Sequence, residues 1–172
     1  IQLRRNHQIE FETAIDSIIA GSPATRLIVN VTPGGGKSAL PIIAGKLIGA
    51  KLIDKLLWIC PRQALQVQGE QNFVDPFFRS MFTHNLTVRS STNENDPTRG
   101  NNGFITTYQA AGVDEHRSIL QDLHKWRYEV ILDEFHHVEK GGDWHKALVK
   151  IMRAAKYHVL MTGTLQRGDD KK

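Results

Sequence analysis

Five short apolar runs, Leu27 to Val31, Leu56 to Cys60, Phe104 to Thr106, Val130 to Leu132 and His158 to Met161, alternate along this chain with longer stretches whose apolar residues recur at helical spacing. A run too short for a helix and apolar at successive positions reads as a strand covered on both faces, and the amphipathic stretches between such strands are what covers them. The alternation predicts an α/β fold: a mostly parallel sheet with helices on both faces. A weaker strand lies near Leu86 to Val88, and helical patterns cover about residues 7–20, 37–50, 62–73, 118–125 and 144–154. Ser90 to Asn102 is polar, rich in Asn and Thr and carries Pro97 and Gly100, so it reads as one long solvated loop.

A length of 172 residues suits one domain with a real core, and residues 1–172 are read as such. The chain begins without Met and stops soon after an apolar run, at Gly168-Asp169-Asp170-Lys171-Lys172, which has the look of a fragment of a longer product. The formal charge of +4 is compatible with a polyanionic partner, but 22 Lys and Arg are scattered among 18 Asp and Glu, so charge selects no partner. One cysteine, Cys60, excludes an intrachain disulfide; its apolar neighbours predict a small core hydrophobe, which suits a reducing compartment. The N-terminus lacks the apolar stretch of a signal peptide, and no run approaches the roughly 18 apolar residues of a membrane span. The expectation is a cytoplasmic protein without a membrane partner.

Thr32-Pro33-Gly34-Gly35-Gly36-Lys37-Ser38 follows the first apolar run and opens a helical stretch, the strand, loop and helix context of a P-loop. Three successive glycines let backbone N–H groups converge on phosphate oxygens, and a helix N-terminus adds partial positive charge. Lys37 would reach the β- and γ-phosphates, and the Ser38 hydroxyl would bind Mg²⁺. The spacing departs from the usual pattern at one place: the position five before Gly36 is Val31.

The fourth run ends directly in Asp133-Glu134-Phe135-His136, delivering two carboxylates at the sheet's carboxyl edge. Opposite a phosphate cradle, Asp133 would hold the metal and Glu134 would accept a proton from the attacking water. Without the cradle the pair would read as a solvated loop or a helix cap. His136, His137 and His145 lack the i, i+4 spacing of a zinc site and have no Cys nearby in sequence. His136 is read as bonding across the cleft.

These residues resemble the superfamily-two helicases with a DExH element, and the resemblance spans almost the whole chain. Thr32 to Ser38 is similar to motif I and Asp133 to His136 to motif II. Arg5-Asn6-His7-Gln8 looks like the Arg-Pro-Tyr-Gln element that recognises adenine, which implies that role for Gln8 with Arg5. Pro61 to Gln68 is similar to motif Ia and Thr106-Thr107-Tyr108-Gln109 to motif Ib, implying nucleic-acid backbone contacts at Arg62, Gln68, Thr106 and Thr107. Thr162-Gly163-Thr164 resembles motif III, implying that Thr162 and Thr164, with His136, couple hydrolysis to strand movement. The wording of the motifs is similar to that of restriction-enzyme motor subunits and of repair or phage-type helicases.

The resemblance implies a RecA-like first motor domain that binds ATP, Mg²⁺ and nucleic acid, DNA in preference to RNA. A second RecA-like domain in the same polypeptide would supply an arginine finger, so that the isolated domain, a monomer, would hydrolyse ATP poorly. Two alternatives stand beside it. A P-loop enzyme of another class lacks support: no Asn-Lys-x-Asp element follows a strand, and the 90–102 loop carries only Arg99. A non-catalytic binding module that kept the fold has both Lys37 and Glu134 against it.

Overall fold

The computed structural model describes residues 6–30, 39–90, 96–112, 118–134 and 143–162. The chain runs α1 (Asn6–Ile19), β1 (Arg26–Asn30), α2 (Leu40–Ala44), α3 (Lys46–Gly49), β2 (Lys55–Cys60), α4 (Gln63–Val74), α5 (Pro76–Phe82), β3 (Val88–Ser90), β4 (Gly103–Thr107), α6 (Tyr108–Gly112), α7 (Ser118–Lys125), β5 (Tyr128–Asp133), α8 (Asp143–Ala154) and β6 (Tyr157–Thr162). Among the described residues the strands form one sheet of order β1-β6-β5-β2-β4-β3, and every pairing is parallel.

The order, with right-handed crossovers, fixes which face each helix covers. Crossovers between parallel strands are right-handed, so helices lie on one face while the chain steps one way across the sheet and on the other face when it steps back. From β1 through β2 to β3 the chain advances, and α1 to α5 build one core around Ile15, Leu40, Ile43, Trp58 and Phe73. From β4 through β5 to β6 it returns, and α6 to α8 build the second core around Leu57, Phe104, Leu123, Val130 and Leu148. With both faces covered, β5 is buried at all six positions, which is why it reads as a continuous apolar run. β1, at the end of the order, alternates exposed and half-buried residues, and Ile28 is 63% exposed.

The sequence elements stand with small shifts, and four readings need correction. The helix expected over 37–50 is, in its described part, two short pieces, α2 and α3, separated at Gly45, where Leu86 approaches so closely that a Cβ would lie 2.5 Å from its Cδ1. α5 falls in a stretch assigned no element; Asp75 caps it by accepting from Phe77 N at 2.9 Å, and Pro76 opens its first turn. α6 was likewise unassigned, because it starts directly on the last residue of β4. The 90–102 segment is not wholly solvated: Pro97 and Thr98 are buried, with Thr98 Oγ1 accepting from Lys55 Nζ at 2.7 Å and the Pro97 carbonyl from Arg89 at 2.8 Å. Cys60 is buried in the first core, as its neighbours predicted. Among the described residues no helix is long and apolar enough to cross a membrane.

Candidate active site

The carboxyl ends of β1, β6 and β5 lie side by side. Asn30 is level with Thr162, and Asp133 with Met161, so the strand leading into the glycine run and the strand ending in the acidic pair are separated by β6 alone. At about 4.8 Å per strand, their ends stand roughly 10 Å apart on one edge of the sheet. The glycine run itself, with Pro33, Gly34, Gly35, Gly36, Lys37 and Ser38, lies outside the described residues, as do Arg5, His136, His137 and Thr164.

Asp133 ends β5 and is 3% exposed. Its carbonyl accepts a hydrogen bond of 2.8 Å from Tyr108 Oη, which ties the strand end to α6. Burial raises the Tyr108 phenol well above its ordinary range, and the negative charge of Asp133 adds to this, so that hydroxyl stays a donor. Cys60, also on this edge, is pushed up to about 12, first by burial and then by Asp133, against a backbone hydrogen bond from Arg62; its thiol donates to the Arg62 carbonyl at 3.3 Å. A thiol so held is neutral and no nucleophile. Glu134 follows with φ +53°, a left-handed conformation that side chains with a Cβ adopt at a cost. That turn carries the chain out of the sheet with the carboxylate at its rim, and strained backbone of this kind concentrates at functional sites.

A hollow of about 80 Å³ opens between this strand end and α4, lined by Trp58, Leu65, Gln68, Gly69 and Asn72 together with both carboxylates. Leu65, Gln68, Gly69 and Asn72 form one stripe of α4. Gly69 is what lets the stripe come so close: a Cβ there would lie 2.7 Å from both Ile105 Cδ1 and Trp58 Cζ3.

Of the residues for which nucleic-acid contact was expected, Arg62 is exposed at the N-cap of α4, and Gln68 is exposed beside the hollow. Thr106 requires a correction: it is 0% exposed on a strand buried throughout, so its side chain presents no surface to a phosphate. Thr107 is 9% exposed and its hydroxyl accepts from Ala110 N at 3.1 Å, capping α6. Gln8 is 6% exposed on α1, which packs against α2, the first described helix after the glycine run. Thr162 is the last residue of β6. Sequence reasoning passed over Tyr108 and Asn72. The first was visible only as part of the Thr-Thr-Tyr-Gln element, and the second had no signal beyond its helical register with Gly69.

The all-parallel sheet, covered on both faces and ending at one edge in an acidic pair, defines a RecA-like α/β domain. The structure is similar to the SWI2/SNF2 ATPase core of Sulfolobus solfataricus in complex with dsDNA, with a TM-score of 0.67 and 17% identity, over 94% of this chain and 32% of that one. At that identity the likeness speaks for the fold, and this chain spans about a third of that chain's length. No curated protein sequence matches. Residues 2–167 match the family described as Type III restriction enzyme, res subunit, and the chain belongs to that family.

Proposed function

We propose that this chain is the first of two RecA-like motor domains of an ATP-dependent helicase or translocase acting on nucleic acid. The observation that carries the reading is the shared edge: the strand entering the glycine run and the strand ending in Asp133 and Glu134 finish together, with one strand between. Ligands of open α/β sheets bind outside that edge.

In this reading Pro33, Gly34, Gly35 and Gly36 cradle the triphosphate, Lys37 neutralises its outer phosphates, and Gln8 with Arg5 reads adenine. The carboxylates at 133 and 134 are hard oxygen donors at a strand end, a set that fits Mg²⁺. Ser38 and Asp133 would hold that ion, which when bound supplies charge neutralisation to the phosphate oxygens. Glu134, on the rim, takes the proton of the attacking water. His136, Thr162 and Thr164 link the site to strand movement. Arg62, exposed at the start of α4, would meet a phosphate backbone. The dsDNA bound to the Sulfolobus solfataricus ATPase core favours DNA as the partner.

The test is Lys37→Ala in the full-length protein. Nucleic-acid-stimulated ATP hydrolysis should fall to background; stimulation that survives the change would overturn the reading.

A further inference from the structure

Besides Arg62 at its N-cap, α4 carries the stripe that lines the hollow at the acidic strand end. Gln68 and Asn72, one turn apart, line the hollow whose far wall is Asp133 and Glu134. Neither side-chain amide has a hydrogen-bond partner among the described residues. The wall they belong to is fixed. Gly69 seats α4 against Trp58 and Ile105 without room for a methyl group, and the Gln66 amide donates to the Ile105 carbonyl at 2.8 Å. Two uncommitted amides are therefore held on a rigid helix across a small space from two carboxylates.

The space is large enough for ordered water, since one molecule needs only about 10–15 Å³ of such volume. Amide N–H groups donate to carboxylates directly or through one water, and a base is effective only when its carboxylate is held in one orientation. Glu134 lines the same hollow, at a backbone turn of positive φ that directs the chain out of the sheet.

We propose that Gln68 and Asn72 are positioning residues for the proton-accepting carboxylate of Glu134, acting across the hollow by hydrogen bonds that include water. This assigns Gln68 to the hydrolytic site and leaves nucleic-acid contact on this helix to Arg62. The inference rests on the role given to Glu134 in the proposed function.

The experiment uses the full-length protein and compares Asn72→Ala, Gln68→Ala and Glu134→Gln in kcat and KM for ATP. Both alanine substitutions favour the helix, so the variants stay folded. Each should lower kcat by about tenfold, the effect of losing a hydrogen bond to a charged group, with KM for ATP held within about twofold. A fall in kcat with KM unmoved marks a positioning role, since a merely structural change would weaken ATP binding as well. Unchanged kcat in both alanine variants, or a rise in KM that accounts for the loss, overturns the proposal. Glu134→Gln separates the two levels: if it keeps full turnover, the assignment of Glu134 itself falls; if it is inactive while the Asn72 and Gln68 variants are normal, only the present inference falls.

Discussion

Glu129 is the residue at which burial and charge conflict most sharply. It is 0% exposed near the start of β5, and neither carboxylate oxygen has a hydrogen-bond partner among the described residues. Burial raises its carboxyl well above the ordinary range, so the folded chain holds it protonated where the unfolded chain would release the proton. The folded state then binds the extra proton, and stability falls as pH rises above the unfolded value near 4.5, continuing until the folded carboxyl itself ionises. Replacing Glu129 by Gln removes that slope. Thermal unfolding between pH 5 and 8 should show a melting temperature that declines with pH in the parent and declines less in Glu129→Gln; parallel curves would refute it. The two carboxylates four and five positions further on are adjacent in sequence and differ in burial, Asp133 at 3% exposed and Glu134 half-buried. Asp133 and Glu134 were legible as a pair because they end an apolar run. The strained turn that sets Glu134 at the rim was not, since nothing in Asp-Glu-Phe-His demands a left-handed residue.

Among the elements, the close approaches at glycine decide how tightly the layers meet. At Gly103 an added Cβ would lie 2.3 Å from the Leu56 carbonyl oxygen, main chain of the paired strand β2. At Gly69 the nearest atoms are side-chain carbons of Ile105 and Trp58. Side chains can shift where a paired strand cannot. Gly69→Ala should therefore cost about 1–3 kcal/mol of overpacking, partly offset by the roughly 1 kcal/mol that alanine contributes to a helix. Gly103→Ala should cost more, because β2 and β4 must separate. Urea unfolding of the two variants measures both, and an equal or reversed order would contradict the argument. The long helices and the central strands were readable from periodicity. α5 and α6 were not, because one is seven residues and the other five, too short for a period to emerge. The Asp75-Pro76 cap was the available signal for α5. The buried Thr98 had none, since its partner Lys55 is 43 residues away.

For the whole molecule, the order β1-β6-β5-β2-β4-β3 brings the carboxyl ends of β1 and β5 to one edge with β6 alone between them, and puts α6 to α8 on the face opposite α1 to α5. An arginine finger is worth roughly 10³ to 10⁵ in rate, and in the proposed function it comes from the second domain. Residues 1–172 alone should bind MgATP yet turn it over at least about 10³-fold more slowly than the full-length protein stimulated by nucleic acid. Calorimetry and a phosphate-release assay test the two halves, and comparable turnover by the shorter chain would show that the catalytic set is complete without a second domain.

What the amino-acid order settled by itself is local: which runs are strands, where the glycines precede a Lys-Ser pair, and that two carboxylates end a strand. Those features need only neighbours within a few residues, so periodicity and spacing expose them. Which strands stand beside one another, that β6 alone separates β1 from β5, and that Asn72 and Glu134 line one hollow were decided by the tertiary structure. They depend on contacts between residues tens of positions apart, fixed by the handed crossovers and by burial on both faces of the sheet, which no short stretch of sequence contains.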